Sequence, residues 1–270
     1  MDAFQSKPEP EQEKLFMPPG TREWEKEERK DAGWNRLTLA FVGVIFVAFL
    51  ASGLIKAIGS SRESARNASC KCNLKQFGLA LHNYLSVNGC FPPAYTVDAQ
   101  GRKMHSWRAL LLPYFEAGTT AANYNLNEPW DSPNNRKVWD QMPPTFRCPS
   151  DDSSPPNTTS YVAIVGPTTM WPGAKGVTVS AITDGLSNTI AIVEAKNLAV
   201  PWLEPRDLDE ESLSMIINDK ASKTALSSDH PSGVNILMAD GSVKFFKQGI
   251  DAKLFQGLLT IAGGEQVSPP

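Results

Sequence analysis

The sequence predicts an α+β fold: one long N-terminal helix, then a mostly antiparallel β-sheet domain with long loops. Three observations predict it. Residues Leu37–Ile55 read LTLAFVGVIFVAFLASGLI, with no charge. The chain then runs on without proline to Val87, with apolar residues at mostly helical spacings. Finally, HPSGVNILMADGSVKFF (His230–Phe246) sets two apolar runs on either side of Asp240-Gly241, a dipeptide suited to a two-residue type I′ hairpin turn.

In chain order, residues 1–36 carry seven Lys/Arg and nine Asp/Glu together with Pro8, Pro10, Pro18 and Pro19. Such a mixed-charge segment predicts a disordered tail. At about 1.5 Å rise per residue the apolar run spans roughly 28 Å, the thickness of a bilayer's hydrocarbon core. It is preceded by a charged tail rather than placed at the terminus, which favours a retained anchor over a cleaved signal peptide. The transmembrane helix is expected over 37–58. Beyond it, Leu74, Phe77, Leu79, Ala80, Leu81 and Leu85 define the packing side of the same helix or of a second, nearly continuous one. Gly89 and Pro92-Pro93 stop it.

HSWRALLLPYFEAG (His105–Gly118) predicts an extended entry and a short apolar element, with Trp107, Leu110, Leu111, Leu112 and Phe115 in the core. Asn125–Asn135 is dense in turn formers and anchored by Trp130. Cys148–Asp151 reads as a turn and Ser160–Val165 as a strand. ITDGLSNTIAIVEA (Ile182–Ala195) contains a strand apolar on both faces, hence central. Short helices are expected near Glu210–Ile217 and over Ala252–Ile261. The resulting division is a tail (1–36), a transmembrane helix (37–58), a folded domain (59–263) and a C-terminal tail (264–270).

Composition excludes some functions. A net charge of −3 over 270 residues, with no basic patch, gives no footprint for nucleic acid. Charge does not set orientation, because five Lys/Arg flank the apolar run on each side (21–36 and 56–75). The four cysteines are Cys70, Cys72, Cys90 and Cys148. Cys70-Lys-Cys72 lacks zinc-ribbon spacing, so zinc has weak support and a disulfide is favoured. In an unbroken helix Cys72 lies about 22 Å from the helix end, whereas the three residues to Cys90 reach only about 10 Å. That rules out Cys72–Cys90. Cys70–Cys148 is the preferred bridge, with four free thiols as the alternative.

Catalytic motifs are missing: no G-x-S-x-G, H-E-x-x-H, P-loop or G-x-G-x-x-G occurs. His230, Asp240 and Ser227 or Ser228 could be drawn as a triad, but the hairpin already explains Asp240, and no enzyme is expected. His230, Asp240, Gly241, Trp107 and Trp130 are the candidate binding residues, the tryptophans as walls of a groove. A calcium site would draw on loop aspartates, Asp131 and Asp184 first, with Asp151 and Asp152 nearby in type.

The blocks RESARNASCKCNLKQFGLALHNY, GCFPPA, HSWRALLLPYFE, NEPWDSPNN, RCPSD, TSYVAIVGP, TDGLSNTIAIVE and HPSGVNILMADGSVKFF occur in this order. Together they resemble the bacterial prepilin-like proteins called the domain of unknown function 1559 family, also labelled H-x(9)-D-G proteins. His230, nine residues and Asp240-Gly241 reproduce the name-giving spacing. The resemblance, over Arg62 to Phe246, implies a layout similar to type IV pilins and pseudopilins. It therefore implies a pilin-like sheet domain outside the cytoplasmic (inner) membrane, a cytoplasmic N-terminal tail, and self-association or assembly with secretion or pilus-type proteins. Cys70 and Cys148 fit the family pattern, and some pseudopilin domains bind calcium. At the processing junction the match ends: Gly33-Trp34 replaces glycine-phenylalanine, and Ala40 or Phe41 stands where a glutamate would be. A permanent single-pass signal-anchor in contact with membrane lipid is the resulting expectation. The functional expectation is a pseudopilin-like envelope protein of structural or interaction role, the alternative being an anchored ligand- or calcium-binding module.

Overall fold

The computed structural model describes residues 21–115 and 118–265. Two compact units divide between Ser60 and Ser61. The sequence is proline-free from Gly20 to Phe91, so nothing interrupts the helical hydrogen-bond ladder, and one helix, α1, runs Thr21–Asn88. It therefore begins inside the segment expected to be a disordered tail to Arg36. Residues 1–20 and 266–270 lie outside the described residues. Within α1, the stretch after Thr38 is long and apolar enough to cross a membrane. Phe41, Ile45, Phe49, Leu54 and Ile55 are all exposed, and none of the apolar window is buried.

From Ser61 on, the helix changes character. Cys70, Leu74, Phe77 and Leu81 recur at intervals of four, three and four and are buried, forming a stripe along one side. Leu79, expected in the packing face, points away and is 64% exposed. Gly89, at φ +75° and bonded from its N–H to the Leu85 carbonyl, closes the helix.

Short strands β1 (Tyr95–Val97) and β2 (Lys103–Ser106) pair antiparallel and lead into α2 (Trp107–Leu111), capped by the Ser106 side chain. A 3₁₀ turn, Leu112–Tyr114, follows, and then α3 (Gly118–Asn123). Trp107, Leu111 and Leu112 are core as expected, while Leu110 and Phe115 are half-buried. The 125–135 loop is organised by buried Asn135, whose amide donates to the carbonyls of Asn125, Glu128 and Pro129.

The strand expected over Ser160–Val165 is broken into three: β3 (Thr158–Thr159), β4 (Tyr161–Val162) and β5 (Ile164–Val165). Each finds a different partner. β3 pairs with β7 (Val200–Pro201), β4 with β6 (Ile190–Glu194), and β5, in parallel, with β8 (Leu208–Asp209). The principal sheet has four antiparallel strands in the order β10-β9-β6-β4, where β9 is Gly233–Met238 and β10 is Val243–Lys247. β6 and β9 are buried along their whole length, as their apolar runs require. One face packs against the α1 stripe, with Phe77 edge-on to Trp107, Phe115, Phe146 and Tyr161. The other packs Val234, Ile236, Met238 and Phe246 against Phe255 and Leu258. Phe255 belongs to α4 (Ala252–Gly257), which ends four residues earlier than expected. The helix expected at Glu210–Ile217 is a single 3₁₀ turn, Glu210–Ser212.

The hairpin is present, but its loop has three residues rather than two. Met238 N–H bonds to the Ser242 carbonyl, and Gly241 N–H to the Met238 carbonyl. Only Gly241 has positive φ (85°); Asp240 does not. This is a type I turn closed by a left-handed glycine, the G1-bulge loop, and not type I′, which needs positive φ at both central positions. Asp240 Oδ1 accepts the Ser242 N–H at 2.8 Å.

A buried ion pair lies beneath the sheet. Arg108 Nη1 meets Asp207 Oδ1 at 2.6 Å, both side chains being at most 1% exposed. The rest of the guanidinium donates to the carbonyls of Trp202, Glu204 and Arg206. Removing one partner strands the other charge in a dry interior. We expect Arg108→Met to lower the unfolding free energy of the full chain by about 3–5 kcal/mol in urea denaturation. Arg108→Met with Asp207→Leu should recover a substantial part of that loss. Asp207 Oδ1 also accepts the Trp107 indole N–H and the Ala163 N–H, so no recovery in the double variant would mean that these orphaned donors or lost packing, and not the stranded charge, set the cost.

Candidate functional site

Polar groups converge where the stripe of α1 reaches its polar end. Glu63 lies on α1 two helical turns before Cys70. Helical spacing puts Glu63, Asn67 and Cys70 on one side. Cys148 opens a turn closed by the Asp151 N–H on the Cys148 carbonyl. Its N–H is held by Ser160 Oγ at 3.0 Å, and Ser160 in turn donates to Asp151 Oδ2 at 2.9 Å. This fixes the turn against α1, and Cys70–Cys148 form a disulfide with a Cα–Cα distance of 5.2 Å. Cys72 and Cys90 are free, so the preferred pairing is the one observed.

His230 sits beside the disulfide with its side chain fully buried. Nδ1 lies 2.7 Å from Glu63 Oε1, while Nε2 lies 3.3 Å from Cys148 Sγ and 3.5 Å from Glu194 Oε1. Glu194 ends β6 on the α1 side of the sheet. Its Oε2 accepts the Asn235 backbone N–H at 2.7 Å, and the Asn235 amide approaches both carboxylate oxygens. Glu63 is also held by Arg66 at 2.8 Å and by Ser150 Oγ at 3.0 Å.

The electrostatics follow. Burial opposes charge on His230, but the Glu194 and Glu63 carboxylates outweigh it and raise the imidazole above its usual range. Burial works to raise Glu63 as well, and hydrogen bonds from His230, Arg66 and Ser150 outweigh it, leaving that carboxyl below the ordinary range. The arrangement is an imidazole ring shared between two carboxylates from separate elements, which favour its charged form. It can hold α1 on the sheet and can place His230 Nε2 against the sulfurs. Among the described residues, Cys70 Sγ, Cys148 Sγ, a Glu194 oxygen and a His230 ring nitrogen lie within 4.8 Å of one another.

The other sequence candidates are dispersed. Asp240 and Gly241 stand at the far end of β9 from His230. Their turn docks on α1: the Ala239 carbonyl is 3.0 Å from His82 Nε2, and a Cβ on Gly78 would lie 3.2 Å from Gly241 Cα. Ser228 Oγ accepts the His230 backbone N–H, and Ser227 Oγ accepts that of Asn197. The drawn triad is thus not assembled. Trp107 is fully buried, its indole N–H on Asp207 Oδ1 at 3.1 Å, so it lines no groove; it is core because α2 turns it onto Phe77. Trp130 is half-buried against Trp139. Asp184 spends its oxygens on the N–H groups of Gly263 and Gly264 at 2.7 and 2.9 Å. The Asp131 backbone carbonyl accepts from Arg136. Glu63, Ser150, Glu194 and Asn235 escaped the sequence reading. The one available signal was a glutamate closing the otherwise apolar run IAIVE.

A family model described as "Protein of unknown function (DUF1559)" matches residues 59–212 and 201–253. The matched ranges contain Glu63, Cys70, Cys148, Glu194, His230 and Asp240. No curated protein and no solved structure matches the chain.

Two outcomes are expected from this geometry. His230→Ala leaves Glu194 buried without its cation, and we expect a loss of about 3–5 kcal/mol. Glu63→Gln keeps the contact but not the charge and should cost less, about 1.5–3 kcal/mol. Urea denaturation of both and of the double variant measures the coupling; additive losses would show that the pair does not act as a unit. His105 gives the pH dependence. Its ring contacts Tyr124 Oη at 2.8 Å and the Leu126 carbonyl at 3.0 Å. Burial lowers its pKa despite the carbonyl contact. The folded state thus binds fewer protons than the unfolded one, whose His titrates at about 6.5. Stability from this group should be complete above about pH 6.5 and fall as pH drops below it. His230, with its raised pKa, contributes in the opposite sense in both chains, so in melting curves taken from about pH 7.5 to 5.5 His105→Gln should lose less, or gain more, than the parent chain.

Proposed function

The chain belongs to the DUF1559 family, and from that premise we propose that it is a membrane-anchored envelope protein of pseudopilin-like, structural or interaction role. The carrying observation is the apolar surface of α1 over residues 38–58, with Leu39, Phe46, Leu50 and Ile58 exposed. Left in water, such a surface is costly, and lipid or other apolar helices satisfy it. Gly43, Ala48, Ala51 and Gly53 provide small residues for close helix approach. The sheet domain lies on the oxidising side of the membrane in this reading, supported by the Cys70–Cys148 disulfide. Self-association, or assembly with a secretion or pilus-type apparatus, then resides in the anchor, and the sheet domain supplies the exposed module.

A polar cleft favours a second reading, an anchored ligand-binding module. Lys196, Asn197, Asn218, Lys220, Ser228 and Gln248 line it beside His230.

Exchanging residues 37–55 for an unrelated apolar helix separates the two readings. We expect the exchanged chain to keep its disulfide and cooperative unfolding but to lose in-membrane cross-linking between copies. Cross-linking that survives the exchange would refute assembly through the anchor. Orientation is checked on intact cells with an impermeant maleimide. Exposed Cys72 should react without permeabilisation, and reaction only after lysis would reverse the placement.

A further inference from the structure

We propose that the reduced chain binds one zinc-type divalent cation through Cys70 Sγ, Cys148 Sγ, His230 Nε2 and a Glu194 oxygen, and that formation of the disulfide releases it. The donor set is two thiolates, an imidazole and a carboxylate, a combination that suits a tetrahedral borderline-soft cation and not calcium. All four residues are buried, so water competes poorly for the ion. Metal–ligand bonds of about 2.0–2.3 Å place tetrahedral donors about 3.3–3.8 Å from one another. His230 Nε2 already stands 3.3 Å from Cys148 Sγ and 3.5 Å from Glu194 Oε1. Once the S–S bond is broken, the sulfurs need only part to about 3.8 Å.

The surroundings are those of a prepared ligand set. The other nitrogen of His230, Nδ1, is fixed on the Glu63 carboxylate at 2.7 Å. A carboxylate behind a histidine in this way sets the tautomer and aims the remaining nitrogen at the metal. Glu194 is steadied by the Asn235 N–H. In the reduced form the cation takes the place between His230 Nε2, the sulfurs and the Glu194 carboxylate. The redox step balances. Two cysteine thiolates give two electrons to a disulfide-bearing oxidant, which leaves as two thiolates. The Cys70–Cys148 bond forms and the cation departs. This inference stands on the cluster alone and does not depend on the anchor's role in assembly.

The test uses the full chain in detergent, reduced by a phosphine without air and titrated with cobalt(II), then zinc. One equivalent of cobalt per chain with a thiolate charge-transfer band, displaced by zinc and missing from the oxidised chain, is the expected result. Cys72→Ser and Cys90→Ser should bind as the parent does. His230→Ala and Cys148→Ser should remove the band, and Glu63→Gln should weaken binding about 10–100-fold. The proposal is overturned by an absent band in the reduced parent chain. It is equally overturned by a band that persists in His230→Ala, or by affinity unchanged in denaturant, where unfolded thiols suffice.

Discussion

Strand β9 is fastened to helix α1 at both ends, and the rest of the domain is built around that pair. At one end His230, three residues before the strand, meets Glu63. At the other the Ala239 carbonyl meets His82, and the Gly241 turn lies against Gly78. Nineteen residues of helix separate Glu63 from His82, about 28 Å. Between His230 and Ala239 the chain makes a turn at Pro231-Ser232, with Ser232 at φ +68°, and then the six-residue strand β9, about 20 Å long. With His230 at Glu63 and Ala239 at His82, helix and strand run side by side in the same direction. The spacing between His230 and Asp240-Gly241 thus spans a turn and one strand and sets a contact with α1 at each end. Gly78 belongs to the same contact, because a Cβ there would lie 3.2 Å from Gly241 Cα and require the turn to give by a few tenths of an ångström.

The stripe that α1 turns toward the sheet changes chemistry along its length. Glu63, Asn67, Cys70, Leu74, Phe77 and Leu81 follow at alternating steps of four and three. The apolar end, with Phe77 surrounded edge-on by aromatic rings, supplies non-directional burial, which tolerates small slides of one element past the other. The polar end does not tolerate them. A charge-assisted hydrogen bond loses most of its worth when the helix shifts by a residue, and the disulfide 78 residues across the sequence forbids the shift outright. By closing so long a loop, that bond also removes about 4–5 kcal/mol of unfolded-chain entropy in the loop-closure picture. Register is therefore set at the polar end, while stability draws on both ends.

Legibility in the sequence divides along the same line. The long helix, central β6 and the β9–β10 hairpin were readable because periodicity and length are local signals. For the disulfide, helix geometry excludes only Cys72–Cys90; Cys70–Cys148 is a preference among the remaining pairings, and the family resemblance favours it. The fragmentation of residues 158–165 was not, since Thr, Tyr, Val and Ile favour strand equally whichever of three partners they meet. The two-residue turn was misread because Asp-Gly suits both loop types, and the contacts of Ala239 with Thr189 and His82 select the longer one. The charged site was invisible for a plainer reason. Glu63 reads as an ordinary helix-surface residue, and Glu194 as the polar end of a strand. Apart from the local Arg66 contact, Glu63 meets Ser150 and His230, 87 and 167 positions away, and Glu194 meets Asn235, 41 positions away.

The dispersal of those partners has a consequence for what the cluster can sense. Glu63 and Cys70 come from α1, Cys148 from the turn before β3, Glu194 from β6, and His230 from the approach to β9. No two of these elements can move apart without exposing either an unpaired carboxylate or the His230 ring, and each exposure carries a desolvated charge back to water at the loss of its hydrogen bonds. A change of charge or of sulfur oxidation state at this point is thus felt by the helix, the sheet and the turn together. An ion pair on one surface element would report only its own environment, and the buried position of His230 is what makes the difference.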